Sequence, residues 1–293
     1  MRVENRNVRD DIPLLARRVL ACPRCRRADL EFAADGVVCK NCAWRGTLRN
    51  GVFAALDAAE PARFDALHTV IEAQNSHPVV WRWLYEEQCR AIVSAVRPGR
   101  VLLDLGCGPA APYPKPEGAL VVGADLSLAS LAVNRDLDLA VHASASSLPL
   151  ADRSVDVAAA IYVFHHMVGD TVAETLRNVE AAFNELGRVM RPGGEVLVLE
   201  ICPWRWAWTA ERLGWVAARR AIGKFIDFLF LPPRLYETLG RVAFPGAALD
   251  RRVYALEGSA WFPPVLGLPW LEWPRFAYPF DVCLFHWRLD GAA

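Results

Sequence analysis

The sequence predicts an α/β protein built on a parallel sheet that is covered on both faces, with a small metal-dependent segment ahead of it. Five short runs, "VLLDLG", "ALVVGADL", "LAVHASA", "VDVAAAIYVF" and "EVLVLEIC", are apolar on both faces and interleave with helical stretches, the pattern of a buried parallel sheet. Two Cys-x-x-Cys pairs within the first 42 residues predict the metal-dependent segment.

The 293 residues, 54% hydrophobic and 23% charged, suffice for one large domain and a small one. Basic and acidic residues balance at 33 each, so no global field recruits nucleic acid or an anionic membrane. No segment reads as a signal peptide or as an apolar span of about 18 residues, which gives the expectation of a cytoplasmic protein without stable membrane insertion.

Taken in chain order, residues 1–56 carry Cys22, Cys25, Cys39 and Cys42 as two knuckles with 13 residues between them. That spacing lets four thiolates close tetrahedrally on Zn2+, and an all-sulfur set is a structural site with no open position. A segment this short has too little core of its own, so metal binding is expected to supply its folding energy. Its eleven Arg and Lys against six acids, a net of +5, keep RNA contact among the expectations, with Trp44 and Phe53 as candidate stacking aromatics. Cys89, Cys107, Cys202 and Cys283 stand singly in apolar surroundings.

From Pro61 to Val96, apolar residues including Phe64, Leu67, Ile71, Trp81, Leu84, Tyr85 and Ile92 recur at helical spacing, with Pro78 dividing the stretch. Asp104, Gly106 and Gly108 then follow the first sheet strand, and the second strand ends 17 residues after Gly108 at Asp125. Glycines allow a tight turn and close approach to a ligand, while a carboxylate on the neighbouring strand can accept ribose hydroxyl hydrogens. Pro109, Pro112, Pro114 and Pro116 predict a rigid loop where a helix normally begins. Thr171–Val189 reads as an amphipathic helix closed by "RPGG", and "FDVCLFHWRL" alternates as a closing antiparallel strand. Residues 203–258 hold Trp204, Trp206, Trp208, Trp215, Phe225, Phe228 and Phe230, more chain than a connection needs, and read as a hydrophobic helical cap or lid.

"VLLDLGCGP", "VVGADLS", "SSLPLADRSVDVAAAIYVFHH" and "LGRVMRPGGEVLVLE" together resemble the successive motifs of class I S-adenosylmethionine-dependent methyltransferases of the type 11 kind. The resemblance covers roughly residues 98–202 and implies a Rossmann-like seven-stranded sheet over 57–293. It implies that Gly106 and Gly108, with Cys107, line the methionine and ribose portion of S-adenosyl-L-methionine, and that Asp104 orients the turn. Asp125, with Leu126, would hold the ribose, and Ser144, Ala145 and Ser146 would stand at the adenine, where the family often has an acidic residue. The strand ending "IYVFHHM" would finish beside the transferable methyl, making Tyr162, His165 and His166 the catalytic candidates. With the proline loop in place of a helix, Tyr85, Gln74, Asn75 and His77 become candidates for the cofactor carboxylate. Residues 1–56 resemble zinc ribbons of the methyltransferase-activator type.

The acceptor implied is a small apolar or aromatic molecule under the cap. Three other readings are an RNA methyltransferase holding its substrate through Arg24, Arg26 and Arg27, a non-catalytic scaffold, and a quinone or lipid methyltransferase at a membrane interface. In the last, Phe225, Phe228 and Leu229 form the buried stripe. The aromatic tail could equally serve a homodimer. A dinucleotide oxidoreductase would need a glycine turn feeding a helix that grips a pyrophosphate, and this turn feeds prolines.

Overall fold

The computed structural model describes residues 12–33, 36–49, 51–56, 82–222, 228–254, 261–262, 273–274 and 279–291. The N-terminal segment forms α1 (Ile12–Val19) and strands β1 (Leu30–Phe32), β2 (Gly36–Cys39), β3 (Arg45–Arg49) and β4 (Val52–Ala54). A π-wound turn, Arg82–Glu86, leads into α2 (Glu87–Ala95). The remainder is β5 (Val101–Leu105), β6 (Leu120–Asp125), α3 (Leu128–Val133), β7 (Leu139–His142), β8 (Val155–Ile161), α4 (Val172–Val189) and β9 (Met190–Pro203), followed by α5 (Arg205–Ile222), α6 (Pro233–Ala243), β10 (Ala248–Tyr254), the short pair β11 (Trp261–Phe262) and β12 (Trp273–Pro274), and β13 (Phe280–Arg288).

All the longer strands join one eleven-stranded sheet in the order β1-β2-β3-β4-β7-β6-β5-β8-β9-β13-β10. From β4 to β9 neighbours run parallel, and β13 runs antiparallel to both β9 and β10. The seven strands from β7 to β10 make the class I methyltransferase sheet. Its order reverses at β5, whose neighbours are β6 and β8. Ligands of open α/β sheets bind outside the carboxyl ends at such a reversal, which is where the glycine turn lies.

Local sequence explains the elements. Adjacent apolar residues in β5 enter different cores: Leu103 and Leu105 on the α4 and α6 side, Leu102 on the α2 side. In α4, Thr171 caps the first turn by accepting the Glu174 N–H at 3.1 Å, and Val179, Ala182, Phe183, Leu186 and Val189 are buried at three- and four-residue spacings. Between Gly108 and Gly118 there is no helix, as the prolines require.

The four-cysteine segment is part of the same sheet rather than a separate bead. β4 adds to β7 in parallel register, Phe53 opposite Val141, and Leu20 bridges to Leu150. Val19, Leu20, Val37 and Phe53 are buried in the main core. Apolar burial shared with the large domain therefore adds to whatever a metal contributes, because the edge of β7 offers both unpaired backbone groups and an apolar surface.

Residues 203–258 contain α5, α6 and β10, and β10 belongs to the main sheet. The sequence positions Phe64, Leu67, Ile71, Gln74, Asn75, His77, Pro78, Trp81 and Phe225 lie outside the described residues.

Candidate functional site

The turn after β5 is made by two glycines in left-handed conformation, Gly106 at φ 67° and Gly108 at φ 55°. A Cβ on Gly106 would stand 2.5 Å from Val163 Cγ2, so only glycine lets the turn lie against the loop that follows β8. A Cβ on Gly108 would meet nothing within 4 Å. The space beside Gly108 is open, as a ligand cradle must be.

Asp125 closes this turn from the next strand. Its Oδ2 accepts the Gly108 N–H at 2.9 Å and its Oδ1 accepts the Ser127 N–H at 2.7 Å. Burial pushes its pKa up, and the same backbone donors pull it back. Asp104 is fully buried and accepts the Tyr113 hydroxyl at 2.6 Å. Burial dominates there and pushes its pKa up to about 7; the Tyr113 hydrogen bond lowers it, and the charges of Asp125 and Asp136 raise it further.

Tyr113 comes from the proline loop, which is fastened along its length. Asn134 Nδ2 donates to the Gly108 carbonyl at 2.9 Å, Asp136 accepts the Ala111 N–H at 3.1 Å, and Lys115 pairs with Asp138 at 2.6 Å. These bonds fasten the loop that stands where a helix would begin and satisfy the Gly108 carbonyl and the Ala111 N–H.

Ser144, Ala145 and Ser146 occupy a turn after β7 in which Ser144 and Ser146 hydroxyls lie 2.9 Å apart. Two residues on, the Leu148 N–H donates to Glu185 Oε2 at 2.9 Å. Glu185 also accepts Arg188 Nη2 at 2.8 Å and Arg26 Nη1 at 2.5 Å. Arg26, the residue after Cys25, thereby ties the cysteine knuckle to the turn at the expected adenine position. One of the three arginines assigned to RNA in the RNA-binding reading is engaged inside the protein.

After β8 the chain turns at Tyr162, a non-glycine residue at φ 56°. Such a backbone costs about 1–2 kcal/mol and is held by the Tyr162 N–H donating to the Leu199 carbonyl at 2.8 Å and its hydroxyl donating to the Leu84 carbonyl at 2.7 Å. Tyr85 meets the Tyr162 ring edge-on at 5.5 Å. His165 packs inward and His166 is half-buried, their rings 4.1 Å apart. His165 Nδ1 lies 2.7 Å from Glu200 Oε2, while Glu200 Oε1 accepts the Phe164 N–H at 2.7 Å. The Phe230 ring stands 5.2 Å from that of His165, and the Leu229 N–H donates to the His165 carbonyl at 2.8 Å. Leu229 is thus a core residue, not part of an exposed stripe.

Sequence reasoning missed Glu200, Tyr113 and Glu185. Glu200 had a signal: it is the one acid inside the apolar run "VLVLEIC", and a charge in a buried strand needs a partner.

The four cysteine sulfurs lie within 4.8 Å of one another, with Cys22 to Cys42 and Cys25 to Cys39 at 3.5 Å. A tetrahedron of Zn–S bonds of about 2.3 Å has edges of about 3.8 Å, so the donor set fits zinc. The Arg27 backbone N–H is the main influence pulling Cys25 down to about 6, whereas burial pushes Cys22 up to about 12.

Comparison with known proteins agrees with this geometry. Residues 103–198 match the methyltransferase domain family. Demethylmenaquinone methyltransferase of Mycobacterium sp. strain JLS is 33% identical over 153 residues, 50% of this chain and 58% of that protein; the chain spans little more than half the length of this curated relative. Among solved structures, the complex between the Haloferax volcanii Trm112 methyltransferase activator and a methyltransferase contains a chain that superposes with a TM-score of 0.52 at 19% identity, covering 78% of this chain and 97% of that one. The cyclase SpnF superposes at 0.53 and 16% identity, covering 81% and 99%. At these identities the structural likeness shows the fold alone. Residues 103–198 carry a methyltransferase domain of the class I S-adenosylmethionine-dependent fold.

Proposed function

We propose that the protein transfers the methyl group of S-adenosyl-L-methionine to a small apolar or aromatic acceptor, with residues 1–56 as a structural zinc ribbon and 57–293 as the catalytic domain. The observation that carries this reading is the contact between Gly106 and Val163: it brings the open glycine turn and Asp125 against the loop bearing Tyr162, His165 and His166. Bound there, the cofactor supplies an activated methyl on a sulfonium. Gly106, Cys107 and Gly108 would line its methionine and ribose part, Asp125 and Leu126 would take the ribose, and Ser144, Ala145 and Ser146 would flank the adenine. Methyl transfer depends mainly on positioning. Tyr85 packs on Tyr162, and His166 and Phe230 on His165, an aromatic cluster that would favour a flat acceptor, in keeping with the demethylmenaquinone named for the Mycobacterium relative.

A second form of the reading places the acceptor in a bilayer. No helix of the described residues is long and apolar enough to cross a membrane, but α5 exposes 59% of Trp206 and 76% of Leu213 beside exposed Arg205, Arg212 and Arg220, a composition suited to an anionic interface.

The test is mass-spectrometric: the zinc-loaded protein, S-adenosylmethionine and either 1,4-dihydroxynaphthalene or bulk tRNA. Methylation of the naphthalene supports the proposal. Methylation of tRNA alone transfers it to RNA, and S-adenosylmethionine left intact with both contradicts it.

A further inference from the structure

We infer that Glu200 fixes the tautomer of His165, so that His165 Nε2 is the proton acceptor and the methyl acceptor carries an ionisable hydroxyl. The tautomer follows from the contact of His165 Nδ1 with an ionised Glu200; the acceptor class rests on the methyltransferase reading above.

Glu200 sits in β9 with none of its side chain exposed, between Leu199 and Ile201, which are also buried. A carboxylate at such a place is tolerated only when its oxygens are paired. One oxygen takes the Phe164 N–H and the other takes His165 Nδ1, each at 2.7 Å. An ionised carboxylate can only accept. With Glu200 ionised, Nδ1 carries the hydrogen, and in the neutral ring that leaves the lone pair on Nε2. The ring is confined by two tilted neighbours, His166 at 4.1 Å and Phe230 at 5.2 Å. Of the His165 side chain 8% is accessible, so the base is nearly dry without being sealed. Its loop lies against the glycine turn through Val163 and Gly106, the side of the sheet on which the methyl donor would be held.

A base fixed in this way suits an acceptor that must lose a proton to become nucleophilic. The hydroxyl O–H bond breaks and its proton bonds to Nε2. The oxygen's electron pair forms the new bond to the methyl carbon as the carbon–sulfur bond of the sulfonium donor breaks, its pair remaining on sulfur. The imidazolium is stabilised by Glu200 until its proton leaves to solvent. Among hydroxyls, a phenolic or enolic one suits the aromatic walls and loses its proton to imidazole more readily than an alkyl alcohol.

The experiment uses the full zinc-loaded chain with nitrogen-15-labelled histidine, followed by nuclear magnetic resonance, with 1,4-dihydroxynaphthalene as the probe acceptor. Wild-type His165 should show hydrogen on Nδ1. In Glu200→Gln the amide oxygen is needed for the Phe164 N–H, so its NH2 faces Nδ1 and the ring hydrogen should move to Nε2. Turnover of the probe should then fall by about 10²-fold or more, the usual worth of a general base, while affinity for S-adenosylmethionine changes by less than about twofold. Should Glu200→Gln fail to fold, His165→Gln keeps a hydrogen-bond partner for Glu200 and should show the same loss. Hydrogen on Nε2 in the wild type, a tautomer indifferent to Glu200→Gln, or turnover within about threefold of wild type in a folded variant overturns the inference. A protein that binds S-adenosylmethionine but leaves the probe unmethylated overturns the hydroxyl assignment. A protein that does not bind it refutes the methyltransferase reading, while the tautomer result still judges Glu200.

Discussion

Replacing Glu185 with alanine should separate the two tasks of the junction between the cysteine segment and the catalytic domain. Glu185 is 6% exposed and receives four hydrogen bonds: Arg26 Nη1 and Arg188 Nε on Oε1, Arg188 Nη2 and the Leu148 N–H on Oε2. Burial pushes its pKa up, but the bonds from Arg188, Arg26 and Leu148 outweigh burial and leave it lowered. In Glu185→Ala the buried Leu148 N–H loses its acceptor, which costs about 1–3 kcal/mol. Arg188 keeps the Leu150 and Leu148 carbonyls and Asp152, so the total should be about 3 kcal/mol, at the lower end for breaking a buried pair. Arg26 has 41% of its side chain exposed, and Arg26→Ala should cost no more than about 1 kcal/mol after solvent screening. Urea unfolding of the zinc-loaded variants at constant slope measures both. Because Leu148 adjoins the Ser144–Ser146 turn, Glu185→Ala should also weaken S-adenosylmethionine binding, while Arg26→Ala should alter it little. The sign with pH follows from the lowered pKa: the contribution is present above the ordinary value of 4.5 and is lost as pH falls below it. Arg26→Ala matching Glu185→Ala in cost, or Glu185→Ala costing less than about 1 kcal/mol, would refute this reasoning.

Asp104, raised to about 7 by burial first, binds a proton more readily folded than unfolded. Stability should fall by up to about 4 kcal/mol as pH rises from about 4 to 7, and Asp104→Asn should flatten that slope in denaturant titrations. Gly106→Ala, forced into Val163 at positive φ, should lose about 2–4 kcal/mol of stability. Gly108→Ala, with open space around it, should lose about 1–2 kcal/mol yet abolish calorimetric binding of S-adenosylmethionine. Stripping zinc with a strong chelator should remove protection from amide exchange in β1–β3 and leave β5, β8 and β9 protected, because the latter are held by their own core.

The sheet was legible because buried parallel strands write themselves as apolar runs, and "VLLDLG" through "EVLVLEIC" became β5 to β9. The missing helix was legible from four prolines, and the amphipathic helix from its spacing, to within one residue of its observed start at Val172. Tyr113 docking on Asp104, and Arg26 reaching Glu185 across 159 positions of sequence, were not legible, since no local pattern encodes a meeting between distant loops. The joining of β4 to β7 was hidden for the same reason: "VFA" is three residues long, and it pairs with β3 on one side and with the distant β7 on the other. Of the paired histidines, spacing alone could not say which turns inward; the buried acid on β9 decides it for His165.

The central claim is that the crevice formed by Gly106, Gly108 and Asp125 holds S-adenosylmethionine, and titration calorimetry with wild type and Asp125→Ala tests it most directly. One molecule should bind per wild-type chain, and Asp125→Ala should bind about 10- to 100-fold more weakly, the worth of a lost charged hydrogen bond of about 1.5–3 kcal/mol. Silence from the wild type, or equal affinity in the two proteins, would contradict it.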